Sequence, residues 1–206
     1  TADVRQFVAS ALVAWVAVFL AALALMMRRE RRAPVPPRAP AAVWALGIVV
    51  AAAAALVPPI MSSDTFDYLA YGRVAVTHRL NPYAVPPNTV DDPLLGSLPT
   101  YWTFQPSVYG PLGVLLGGVP SLLGDTDAGL VGGFKALSFL AFVALAFVCW
   151  RLLRETRHAV PMSAMMALFG NPVTLWLLLV DAHNEVFLLT LLLAAVLSAV
   201  RRRWLL

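Results

Sequence analysis

Two short stretches of this chain hold the side chains that could do chemistry: Asp64 to Arg73, and Asp181 to Glu185. A helix beginning near Asp64 would set Asp64, Asp67, Tyr68 and Tyr71 along one face, because residues three and four apart are neighbours on a helix. Pro58 and Pro59 end the helix before it, and Ser62 or Ser63 can cap the new one by accepting its free N–H groups. Two carboxylates and two phenols would then line one surface. A carboxylate there can act as general base on a hydroxyl or ligate a cation through oxygen, while capping and solvation account for the same residues without chemistry. The Arg73 guanidinium suits a phosphate, or an ion pair with Asp67 or Asp64. In the second stretch Asp181, Asn184 and Glu185 would share a helical face beside His183. Acidic groups at membrane depth are costly to keep, so function is their default reading; a polar turn in water is the alternative.

The elements that must position these residues are membrane helices. Of 206 residues 60% are hydrophobic and 13% charged, too few charges to cover a soluble domain. The apolar runs 7–27, 41–61 and 130–150 each have the length to cross a hydrocarbon core, and lipid favours helices because they pair their own backbone groups. The run 161–200 is twice one crossing and is interrupted midway by 181–185, which predicts a hairpin of spans 162–180 and 185–200. The short segment 108–123 contains Gly110-Pro111, Gly117-Gly118 and Pro120 and reads as an interfacial or re-entrant helix. The expectation is an all-α integral membrane domain over residues 1–206, with about five spans and a long external loop, 62–129.

Orientation follows from the Lys and Arg residues. Eleven of the fifteen fall in three groups: Arg28, Arg29, Arg31, Arg32 and Arg38; Arg151, Arg154 and Arg157; Arg201 to Arg203. Short basic loops stay in the cytoplasm, so all three groups lie inside and Lys135 near an outer end. Nine of the eleven acidic residues then face out, all except Glu30 and Glu155. For Asp91, Asp92, Asp125 and Asp127 a solvated loop is sufficient explanation. The basic groups abut spans, so nucleic acid is not an expected partner. Asn171-Pro172 is expected to kink its span.

Tyr101, Trp102, Phe104 and Tyr109 fit an aromatic belt at the membrane surface, or sugar stacking. The single cysteine, Cys149, permits no intrachain disulfide and reads as a buried spacer. No cluster has convincing metal-ligand spacing, so no metal or other cofactor is expected; Asp64 with Asp67 is the pair a divalent ion could use.

Ser63-Asp64, Tyr68, Gly72-Arg73 and Asn81-Pro82-Tyr83 together resemble the first external loop of GT-C glycosyltransferases. Tyr109-Gly110-Pro111-Leu112 is similar to a later loop motif of the bacterial polyprenol-phosphate-mannose-dependent α-mannosyltransferases and related hexosyltransferases. Asn171-Pro172 followed by Asp181-Ala182-His183-Asn184-Glu185 resembles their Asn-Pro and Asp-Gly-His-Asn segment, with Ala182 in place of the glycine. The resemblance implies the N-terminal part of a larger GT-C bundle in the bacterial plasma membrane, with its active face outside. Its partners would be a lipid-linked sugar donor, a glycan or glycolipid acceptor and membrane lipids. The first-loop carboxylate, Asp64 or else Asp67, would be the base, and the sugar would transfer with inversion. Tyr68, Arg73, Asn81, Tyr83, Tyr109, Asp181, His183, Asn184 and Glu185 would bind substrate, with Arg73 and His183 suited to phosphate. A transporter or flippase of lipid-linked substrates would instead carry charges through mid-span, and a scaffold would tolerate substitution across 64–83.

Overall fold

A computed structural model describes residues 2–32, 39–156 and 160–201. Of the proline-rich linker expected over 34–40, residues 34–38 lie outside the described residues, as do Arg157, Arg202 and Arg203, while Ala39 and Pro40 already belong to the second helix. The regular structure described is helical: α1 Ala2–Arg32, α2 Ala39–Leu56, α3 Asp64–Val76, α4 Pro93–Ser97, α5 Pro111–Gly118, α6 Asp127–Thr156, α7 Met162–Phe169, α8 Pro172–Leu175 and α9 Glu185–Val200. A π-helical turn, Trp176–Val180, follows α8.

Two helices are long and apolar enough to cross a membrane, Gln6–Arg32 and Asp127–Glu155, and a third if α7 and the 172–180 segment form one broken span. The apolar stretches Ala41–Leu56 and Glu185–Val200 are shorter, so the expected count of five spans is not reached on length and composition. The 162–180 segment is more than kinked. It breaks at Gly170–Asn171 and bends by 41°. Asn171 caps α8, its side-chain oxygen accepting from the Val173 and Thr174 amides, while Pro172 sits in the first turn, where its missing N–H is no loss.

The ends of the helices sort as the charges predict. At the basic end, Glu30 of α1 accepts from the Ser163 amide (3.1 Å) and hydroxyl, capping α7. Arg201 after α9 pairs with Glu155 of α6, and Trp44 of α2 meets Trp150 edge-on at 6.3 Å. At the other end, Asp181 accepts from the Ile60 and Met61 amides just after α2, and Lys135 donates to the Leu179 and Val180 carbonyls. Thus α1, α6 and α9 run one way, and α2 and α7–α8 the other.

Above this bundle, α3 lies directly on α5. A side chain at Gly72 would run into the main chain at Gly117 and Gly118; one at Gly117 would meet the Tyr68 carbonyl. Only residues without a Cβ allow this approach, which beds Leu69 and Val74 over Leu130 and Phe134 of α6. The segment read as re-entrant is therefore the platform under α3.

Candidate active site

The first turn of α3 carries both candidate bases, and burial separates them. The Asp64 amide donates to the Ser62 hydroxyl (3.1 Å), and the Asp64 carboxylate stays about one-third exposed. Asp67, one turn on, is fully buried and neither of its oxygens completes a hydrogen bond. Burial, followed by the negative charge of Asp64, pushes its carboxyl up from 3.8 to about 7. The Trp102 main chain and the Ser63 hydroxyl offset part of that rise.

The sequence expectation of an open face with two phenols is corrected here. Tyr68 is buried, edge-on to Tyr109 at 4.7 Å, and Tyr71 is buried with its hydroxyl donating to the Trp102 (2.9 Å) and Gln105 (3.0 Å) carbonyls. Burial first, then nearby carboxylates, raises the Tyr68 and Tyr109 hydroxyls well above the ordinary phenol value, so both stay neutral donors. Tyr83 donates to the Tyr109 carbonyl (2.9 Å), and the Asn81 side chain accepts from the Tyr83 amide (3.0 Å), so this pair props the Tyr109 loop.

The 181–185 segment meets Asp64 from the other side. His183 Nδ1 lies 3.5 Å from an Asp64 oxygen and 3.6 Å from a Glu185 oxygen. The Asn184 amide lies close to Gly113, at the start of α5. Asp64, His183, Asn184, Glu185, Tyr68 and Tyr109 therefore gather in one cluster, in which Asp64 and Glu185 stay partly exposed and Tyr68 is buried.

Asp181 is not part of that cluster, and it does not share a helical face with Asn184 and Glu185. It is buried, and its carboxylate is taken by the Ile60 amide (2.9 Å), the Met61 amide (3.1 Å) and Trp176 Nε1 (2.8 Å). Thr65 donates to its carbonyl. Ala182, also buried, follows with φ 46°, the left-handed conformation that favours glycine. Ala182→Val should therefore cost about 2 kcal/mol or more, since a branched residue tolerates that conformation poorly. Ala182→Gly should be near neutral, strain relief offsetting a lost methyl contact. Thermal unfolding of the two variants measures both.

Arg73 is likewise committed elsewhere. It pairs with Asp92 (2.6 Å) and Asp125 (2.8 Å), not with Asp64 or Asp67. Asp92 is not solvated as the sequence implied: its side chain is 5% exposed and also meets His78 at 2.7 Å. Burial opposes the charge on both groups, but the hydrogen bonds from Arg73 and His78 prevail and hold the Asp92 carboxyl below the usual range. Among the described residues no group of three or more His, Cys, Asp and Glu side chains is arranged to hold a metal ion.

Burial of Asp67 gives a pH signature. Between 3.8 and about 7 the folded chain keeps a proton that the unfolded chain has lost, so stability falls as pH rises through that window. Asp67→Asn should flatten the fall and raise stability at pH 8 by on the order of 2–4 kcal/mol, at ~1.4 kcal/mol per pKa unit. Unfolding midpoints at acid and mildly alkaline pH test this.

Fold and cluster together define an all-helical membrane protein with an acid, imidazole and phenol site at one end. The chain belongs to the α-(1→6)-mannopyranosyltransferase family, matching the model of its N-terminal domain over residues 2–206. A probable α-(1→6)-mannopyranosyltransferase of Mycolicibacterium smegmatis is 29% identical over 164 residues, 77% of this chain and 28% of the relative. α-(1→6)-Mannopyranosyltransferase A of Mycobacterium tuberculosis is 29% identical over 70% of this chain and 28% of its own length. α-(1→6)-Mannopyranosyltransferase B of Corynebacterium glutamicum is 31% identical over 67% of this chain and 23% of its own length. The chain thus spans about a quarter of the length of these curated relatives. No solved structure matches it.

Proposed function

We propose that this domain serves mannosyl transfer from a polyprenyl-phosphate donor to a hydroxyl of a glycan or glycolipid acceptor. The setting is the outer face of a bacterial plasma membrane, with the short apolar helices completing five crossings. Asp64 takes the acceptor proton, the freed oxygen attacks C1 of mannose, and the C1–O bond to phosphate breaks, releasing polyprenyl phosphate. Inversion to an α product requires a β-linked donor. His183 and Asn184 belong to the same cluster and suit phosphate or sugar oxygens, with Tyr68 and Tyr109 as neutral donors.

The observation that carries this reading is the contrast within α3: the Asp64 carboxylate is about one-third exposed and lies 3.5 Å from His183, whereas Asp67 is buried with neither oxygen hydrogen-bonded. The family supplies the sugar. A transporter would need charges along a path through the bilayer. The buried charged residues described, Asp67, Arg73, Lys135 and Asp181, all gather at one end.

The test uses the complete protein in proteoliposomes with a short α-mannoside acceptor. Labelled polyprenyl-phosphate mannose should be used and a nucleotide-linked mannose should not. Transfer from the nucleotide sugar alone would overturn the donor assignment.

A further inference from the structure

We infer that Lys135 is a positioning residue: it fixes the π-turn that carries Asp181 to Asn184 and thereby holds His183 against Asp64. The inference concerns the site of the proposed transferase and rests on that reading for its effect on rate.

A π-turn leaves main-chain carbonyls at its end without helical donors. Here Lys135 Nζ supplies them, donating to Leu179 (2.5 Å) and Val180 (2.6 Å). Lys135 is 5% exposed, in an otherwise apolar span. A cation so placed is costly unless it is paired and hydrogen-bonded. The carboxylate of Asp181 is held in turn by the chain after α2 and by Trp176, and Thr65 of α3 holds its carbonyl. Three elements therefore converge on one turn. Its next residue is the left-handed Ala182, and the one after is His183, 3.5 Å from Asp64. The strained backbone at Ala182 has to be held by its surroundings, and Lys135 contributes the two hydrogen bonds from α6. No other side chain of α6 donates to this turn among the described residues.

The consequence is local, and a local probe reads it. Diethyl pyrocarbonate modifies histidine, and peptide mass spectrometry separates His183 from His78, which is held by Asp92 in a different part of the loop. In the complete protein in membranes, Lys135→Met should raise the modification rate of His183 by about fivefold or more, because local opening exposes it, and leave His78 unchanged. Lys135→Arg keeps the charge and the donors and should stay near wild type. In the transfer assay Lys135→Met should lower kcat by about 10- to 100-fold with KM little changed, as misplacement of a catalytic group does. In a His183→Gln background the same substitution should cost nothing more, because both act through one contact.

Unchanged labelling of His183 in Lys135→Met overturns the inference. So does an equal rise at His78, which would mean general loosening. A full further loss of rate in the His183→Gln background contradicts it as well. The labelling needs no transfer: if wild type transfers nothing while His183 labelling rises selectively, the proposed reaction fails and the positioning stands.

Discussion

Gly117→Val is expected to remove folded protein from the membrane. A side chain at Gly117 points at the Tyr68 carbonyl of α3, and Gly72 and Gly118 face the same crossing. The obstacle is main chain, which cannot rotate away as a flexible side chain would. Overpacking in an ordinary core costs about 1–3 kcal/mol because neighbours adjust. Here α3 and α5 must separate, uncovering Tyr68, Leu69 and Val74, all buried. That loss is of the order of a whole domain's stability, about 5–15 kcal/mol. The yield of monodisperse protein in detergent measures it, with Leu115→Val, on the exposed side of α5, as the unaffected control. Normal yield and an unchanged unfolding midpoint for Gly117→Val would contradict the crossing.

Asp64→Asn is expected to lower the rate of transfer by about 10²- to 10⁴-fold, the range a general base supplies. The substitution keeps shape at a partly exposed position, so folding should be unaffected. The loss should fall on kcat, with the donor KM little changed, because proton removal occurs only in the transition state. A rise in KM with kcat intact would make Asp64 a binding group instead.

Much of this fold was legible because membrane helices announce themselves twice, by apolar runs and by charges at their ends. The basic groups at Arg28, Arg151 and Arg201 correctly anticipated which helix ends meet. The start of α3 at Asp64 followed from Pro58, Pro59 and Ser62, whose hydroxyl accepts the Asp64 amide; Ser63, at the cap position, makes no side-chain cap. What periodicity could not show was which face of α3 would be covered. Asp64, Asp67, Tyr68 and Tyr71 do share a side, but the loop carrying Trp102 and Tyr109 closes over three of them, and contacts between residues far apart in sequence leave no local pattern. The glycines at 72, 117 and 118 were the available signal: three at one level of two segments mark a close backbone approach. Arg73 and Asp181 illustrate the same limit. The ion pair considered for Arg73 was with Asp67 or Asp64, whereas its partners are Asp92 and Asp125, and the Asp181 carboxylate is met by the Ile60 and Met61 amides, all far away in sequence. Lys135 lies at the end of the bundle opposite the basic groups, yet nothing in its neighbours revealed the π-turn it serves.

The most direct test of the central claim compares the two carboxylates of α3. Transfer from labelled polyprenyl-phosphate mannose would be followed in proteoliposomes between pH 5 and 8 for wild type, Asp64→Asn and Asp67→Asn. The account predicts that transfer by Asp64→Asn is reduced by at least about 100-fold at every pH, and that Asp67→Asn keeps substantial transfer with any wild-type inflection near pH 7 removed. Loss of transfer in Asp67→Asn with activity kept in Asp64→Asn would contradict it and move the base to the buried carboxylate.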